Sequence, residues 1–216
     1  MRPPTPLVLA HRGHRAAGPE NSKRAVVAAF AVCDGAEADV IVTADGRAVL
    51  RHDERLADGT PVRSLSLVEL RRSLDADSDD VPEVGDVLAA IGGRGMLDLE
   101  LKVPGAARAL VPLAASLSNV TFTSFYAAEA MEARVRFPSR PSGLLLSRWP
   151  RPFVPPGMSL LSVRHPIVAE ARAAFPTTPL WAWTVNDADA CARAIAAGCA
   201  AVIGDDAVAL KAWAAR

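Results

Sequence analysis

Acids, imidazoles and cations recur in this chain at the ends of short apolar runs. His11 and Arg12 follow Leu7–Ala10, Glu37 and Asp39 lie inside Ala36–Val42, His52 and Asp53 follow Ala48–Leu50, and Glu100 and Lys102 close Met96–Leu101. A charged side chain in a buried strand is costly unless it is paired or holds a metal. Their repetition at strand ends reads as an active site built from three carboxylates, two imidazoles and two cations.

Each group has its own chemistry. Glu37 and Asp39 are two apart on a strand, so both point to one face, where their like charges repel unless a cation lies between them. Glu100 offers a third oxygen, and an all-carboxylate set suits Mg²⁺ or Ca²⁺ rather than zinc. The competing reading pairs these acids with surface arginines. His11 and His52 are two of four histidines and have the residue type for acid–base work near neutral pH; His14 and His165 read as loop or surface residues. Arg12 offers a planar fork for phosphate oxygens. Lys102, one of three lysines, shares a face with Glu100 and could bind an anionic oxygen, form a salt bridge to Glu100, or do both. A Schiff-base role is disfavoured because the flanking carboxylates keep it protonated.

The elements that must hold these groups alternate along the chain. Strands are expected at Leu7–Ala10, Ala36–Val42, Leu97–Leu101, Val120–Thr123, Gly143–Ser147, Leu160–Val163, Leu180–Thr184 and Ala201–Ile203. Helices are expected at Ser22–Cys33, Ala106–Ser116, Ala127–Phe137, Pro166–Ala174, Asp187–Ala197 and Asp206–Ala214. Asn21 or Ser22 would cap the first helix, Asn186 would cap the one at Asp187–Ala197, and Gly198 would end it. Eight strands with intervening helical sequence imply a single-domain (β/α)8 barrel over residues 1–216, with a doubly wound open sheet as the alternative. The proline-rich stretch Arg148–Gly157 reads as a loop. Asp45-Gly46 between apolar residues signals a two-residue hairpin loop. That register sets Ala44 opposite Arg47 and, counting outward, His52 opposite Asp39.

Composition sets the frame. Half of the 216 residues are hydrophobic and the formal net charge is zero, which describes a globular chain and gives no sign of a nucleic-acid partner. No apolar run approaches the ~20 residues of a membrane span. The short run Leu7–Ala10 falls below a signal peptide's apolar region of about 7–15 residues, so a cytoplasmic location is expected. Cys33, Cys191 and Cys199 form neither a disulfide nor a zinc pattern.

The same residues resemble the glycerophosphodiester phosphodiesterase family. His11-Arg12-Gly13 with Pro19-Glu20-Asn21-Ser22 resembles its HRG…PENT opening, and Glu37-Ala38-Asp39-Val40 with Asp45-Gly46 its E-x-D-V…DG segment. His52-Asp53 is similar to its HD and Glu100-Leu101-Lys102 to its E-x-K. Ser124-Phe125, Trp183-Thr184-Val185-Asn186 and Ile203-Gly204-Asp205 resemble its later segments. The resemblance implies a TIM barrel that hydrolyses glycerophosphodiesters to an alcohol and glycerol 3-phosphate with one divalent cation, Mg²⁺ or Ca²⁺. By it, Glu37, Asp39 and Glu100 hold the metal, and His11 and His52 form the acid–base pair. Arg12, Lys102 and Trp183 meet the substrate, while Glu20, Asn21, Asp53 and Ser124 support the site. A small-molecule diester is the expected partner, with no stable membrane insertion. Lysophospholipase D-like activity and a non-catalytic phosphate-binding barrel are the rival functions. His14 stands where glycine is usual, and Ser22 replaces threonine. The stretch 53–96 is too short for most of the family's inserted subdomain, which implies an open site.

Overall fold

The computed structural model describes residues 5–150 and 153–215. Eight parallel strands close on themselves: β1 (Leu7–His11), β2 (Gly35–Val42), β4 (Met96–Leu101), β5 (Val120–Ser124), β6 (Ser142–Leu146), β7 (Leu160–Arg164), β8 (Leu180–Trp183) and β9 (Ala201–Gly204). Pairing of β1 with both β2 and β9 closes the ring. The ninth strand, β3 (Ala48–Leu50), runs antiparallel to β2 as a hairpin. The chain is therefore a (β/α)8 barrel and not an open sheet.

Alternation along each strand sorts the side chains. Outward residues such as Ala36, Ala38, Val40, Leu97, Leu99, Leu101 and Phe122 pack under the helices. Inward, the barrel floor is filled by Leu9, Leu160, Trp181, Ala201 and Ile203. The outer layer comprises α1 (Lys23–Val32), α3 (Val84–Ile91), α4 (Ala106–Ala109), α5 (Ala127–Arg136), α6 (Val168–Ala174), α7 (Ala188–Ala196) and α8 (Ala207–Ala214). Ser22 caps α1 through the Ala25 N–H. The α7 cap is Asp187, whose side chain accepts from the Ala190 N–H, and not Asn186. Asn186 instead bonds Asp205, because Asp187 is the residue whose backbone is extended at the helix start.

Helices α2 (Leu67–Leu74) and α3 escape a reading based on strand-to-strand rhythm. Both carry local signals: a Ser66–Glu69 capping box before α2 and a left-handed Gly92 after α3. The region between β3 and α3 forms its own apolar cluster, in which Val62, Leu67, Leu70 and Val81 cover Ile41 and Val49. Between β6 and β7 the described residues form no helix, as the prolines there imply; Arg151 and Pro152 of that expected loop lie outside the described residues.

The hairpin register differs by one from the expected one. Thr43 pairs with Arg47, and Val40, Ile41 and Val42 pair with Leu50, Val49 and Ala48. The loop holds three residues, with Gly46 at φ 76°, as in a turn closed by a left-handed glycine. Arg51, not His52, donates its N–H to Asp39. The Asp45 side chain, held by Thr43 and the Leu67 N–H, supports this longer loop.

Candidate active site

The inward face of the upper barrel is acidic on one side only. Register pairs Glu37 with Asp98 and Asp39 with Glu100, so four carboxyls form a two-by-two block on β2 and β4. Glu37, Asp39 and Asp98 are buried. Ligand oxygens of Glu37, Asp39 and Glu100 lie within 4.8 Å of one another. Burial, then the charges of Asp39, Glu100 and Asp98, pushes Glu37 well above the usual carboxylate range. Burial and Asp39 push Glu100 up as well, against the pull of Lys102. Crowded oxygens that resist ionisation are what a hard divalent cation would relieve, so the residues present fit such an ion. Asp98, the fourth acid, was not foreseen. It is raised by burial although the Thr123 hydroxyl donates to it at 3.1 and 3.0 Å.

Cations and an amide brace the block. Lys102 Nζ lies 3.2 Å from both Asp39 Oδ1 and Glu100 Oε1. Burial pulls its pKa down, but those two acids outweigh it and the net shift is upward. Asn21 donates to Asp39 Oδ2 at 2.9 Å and accepts the Asp39 N–H at 2.9 Å. The Arg12 N–H donates to Glu37 Oε2 at 3.0 Å, and its guanidinium reaches Glu20 at 2.9 Å and Asp39 at 3.1 Å. Arg12 and Asn21 hold φ values of 57° and 61°, a left-handed backbone that non-glycine residues adopt at a cost. Gly13 follows at φ 88°, and a Cβ there would sit 2.6 Å from the Ala25 carbonyl carbon, so the loop can lie against α1 only with glycine at this place.

Each expected catalytic histidine is oriented by an aspartate. His11 Nδ1 meets Asp205 Oδ1 at 2.6 Å, and His52 Nδ1 meets Asp53 Oδ1 at 2.8 Å. A carboxylate can only accept, so the proton sits on Nδ1 and Nε2 is left for other work. His11 Nε2 lies 4.0 Å from Glu37 Oε2. Asp205 is itself fixed: Asn186 donates to its Oδ2 at 2.5 Å and accepts its N–H at 2.9 Å. The bond from His11, set against partial burial, lowers the Asp205 pKa to about 2. Asp205 was matched in the sequence only as part of the last strand. Its signal is position, since it follows the carboxyl end of β9, which pairs with β1, the strand that bears His11.

Part of this assembly lines one cleft of about 150 Å³ at the carboxyl ends of the strands. His11, Arg12, Glu37, His52, Glu100 and Lys102 form one wall; Phe125, Leu145, Trp183 and Ile203 form the other. Phe125 and Trp183 meet edge to face with centroids 5.5 Å apart. Ser124 does not line the cleft: it faces outward on β5, where its hydroxyl donates to the Leu101 carbonyl at 2.6 Å and accepts the Tyr126 N–H. Its support is to the β5–α5 turn. Glu20 stands at the rim between Arg12 and Arg15.

A family model described as the glycerophosphoryl diester phosphodiesterase family matches residues 11–136, more than half of the chain. Solved structures share the fold over nearly the whole length. A phosphodiesterase of Oleispira antarctica, solved with the product sn-glycerol 3-phosphate, is 21% identical with a TM-score of 0.78, covering 98% of each chain. A glycerophosphodiester phosphodiesterase of Parabacteroides distasonis is 20% identical with a TM-score of 0.83, covering 98% of this chain and 97% of that one. One of Thermotoga maritima is 21% identical with a TM-score of 0.76, covering 96% and 97%. An uncharacterised protein of Mycoplasma genitalium is 51% identical over 49 residues, a stretch spanning 22% of this chain and only 20% of that protein.

Proposed function

This chain belongs to the glycerophosphoryl diester phosphodiesterase family, and from that premise we propose that it hydrolyses glycerophosphodiesters to an alcohol and glycerol 3-phosphate, using one divalent cation and two histidines. The observation that carries the reading is the meeting at one cleft of a carboxylate cluster able to hold a metal ion, two histidines each bonded to an aspartate, and two cations.

Glu37, Asp39 and Glu100 would hold Mg²⁺ or Ca²⁺, which when bound neutralises charge on a phosphate oxygen. Arg12 and Lys102, both facing this cleft, stabilise the charge that develops on the other phosphate oxygens. No serine or cysteine nucleophile lines the cleft among the described residues. The glycerol hydroxyl next to the diester attacks phosphorus, as one histidine takes its proton at Nε2 and the other gives a proton to the departing alcohol. Water then opens the cyclic product with the two roles exchanged. Asp205 and Asp53 keep the Nδ1 protons in place, so both Nε2 atoms stay available through the cycle.

The apolar wall supports a second reading, a lysophospholipase D-like activity, because Phe125 and the adjacent Tyr126 are exposed at this end of the barrel. A substrate panel separates the readings. Glycerol 3-phosphate released from glycerophosphocholine and glycerophosphoethanolamine is expected. Hydrolysis of lysophospholipids alone would favour the second reading, and tight binding of all diesters without turnover would point to a non-catalytic barrel. Among the described residues no helix is long and apolar enough to cross a membrane, and we propose a cytoplasmic enzyme.

A further inference from the structure

The mouth of this barrel is electrostatically lopsided. The β1–β4 side carries four carboxyls, each with a cation or a hydrogen-bond donor. The β7–β8 side carries no carboxylate on an inward strand position. Its strand-borne charge is Arg164, the last residue of β7. Register pairs Ser162 with Trp181 and Arg164 with Trp183. Trp181 packs in the barrel interior and Trp183 lines the cleft, so Arg164 shares the inward-facing alternation at the level of the mouth.

Arg164 is exposed and no ion pair or hydrogen bond engages its guanidinium among the described residues. Other arginines on this fold do carry such ties: Arg172 bonds five carbonyls, and Arg24 pairs with Asp79 and Asp80. On the same two strands Ser162 Oγ and Trp183 Nε1 are buried without hydrogen-bond partners, and Asp187 is the residue that caps α7, accepting the Ala190 N–H at 2.6 Å. Arg148, just beyond β6, is likewise exposed and unpaired. Arg164 is not part of the cleft lining; it stands on the rim, beside the tryptophan that is.

In the closed ring β7 stands opposite β2, so Arg164 lies across the mouth from Arg12 and Lys102. Resting on the proposed reaction, we propose that Arg164 binds a second anionic group on the leaving alcohol, so that this enzyme prefers glycerophosphodiesters whose alcohol carries its own phosphate. A guanidinium with free N–H donors matches phosphate oxygens in pairs, and a cationic headgroup would meet repulsion at the same place.

The probes are glycerophosphoinositol and glycerophosphoinositol 4-phosphate, which differ by one phosphate. Binding is measured by calorimetry in a His52→Ala background, so that turnover does not intrude. The phosphorylated diester should bind about tenfold more tightly at low salt, and the ratio should shrink in ~0.5 M salt as the exposed pair is screened. Arg164→Gln should bring the ratio to about one, whereas Arg108→Gln, on the outer helix α4, should keep it. Equal binding of the two diesters, or a preference that survives Arg164→Gln, overturns the assignment. Hydrolysis of plain glycerophosphoinositol by the unmodified protein is scored separately. Its absence alongside an intact binding ratio would refute the proposed reaction and leave the anion site standing.

Discussion

Asp205→Asn removes one charge and keeps the shape, and its consequence can be worked out bond by bond. In the native arrangement Asp205 Oδ1 accepts from His11 Nδ1 while Oδ2 accepts from Asn186 Nδ2. An asparagine at 205 has one acceptor and one donor. If its amide nitrogen faces Asn186, two donors collide; if it faces His11, the imidazole must shift its proton to Nε2, the wrong tautomer for a base in the cleft. A hydrogen bond to a charged group contributes about 1.5–3 kcal/mol, which is about 10- to 150-fold in rate. Wrong-tautomer capture extends the loss toward about 10⁴-fold. We expect kcat for glycerol 3-phosphate release to fall within that range, with divalent-cation affinity little changed because Asp205 is not a proposed ligand. A variant with kcat within twofold of the native value would refute the positioning argument.

His11→Ala and His52→Ala should each lower kcat by roughly 10²–10⁴-fold while calorimetric metal affinity is retained; a native kcat in His52→Ala would remove that residue from the mechanism. Glu37 and Glu100 have raised pKa values when metal-free, so their contribution to stability is present below the ordinary carboxylate range and lost as pH rises through the folded values. The gain in Tm on adding Mg²⁺ or Ca²⁺ should therefore grow from about pH 5 to about pH 8, and a gain independent of pH would contradict the crowding argument. Gly13→Ala, with its positive φ and the Ala25 backbone 2.6 Å from the new Cβ, should destabilise by about 1–3 kcal/mol, read by urea unfolding.

How much of this was legible in the sequence follows from the range of each signal. The eight barrel strands fall where alternation and apolar runs place them, because a fully buried parallel strand leaves an unambiguous apolar trace. Glu37, Asp39 and Glu100 were readable as a set because charge inside such a trace demands a reason. Helices α2 and α3 were missed where the chain leaves the strand–helix rhythm, although the Ser66–Glu69 box was there to be read. The hairpin register slipped by one because Asp45-Gly46 fits both a two-residue loop and the tail of a three-residue one, and only the tie from Asp45 to Leu67, 22 residues on, favours the longer. His52 reaches the cleft all the same, through the chain beyond β3 and its bond to Asp53 rather than through pairing with Asp39. Ser124, expected among the supporting residues, is turned outward by strand alternation against Leu101, which the family motif alone does not tell. Asp98 and Asp205 needed closure of the barrel: one gains meaning from its neighbour Glu37 on the next strand, the other from His11, 194 residues away.

The most direct measurement is product formation across removal and return of the metal. Protein stripped with EDTA and dialysed is given glycerophosphocholine, with and without added Mg²⁺ or Ca²⁺, and glycerol 3-phosphate is quantified. Cleavage on the choline side of phosphorus, with glycerol 3-phosphate appearing only in the restored arms and not in Asp39→Ala under any condition, is the expected result. Full release in the chelated protein, or no glycerol 3-phosphate from any glycerophosphodiester with either ion present, would contradict the carboxylate-held metal and the proposed reaction respectively.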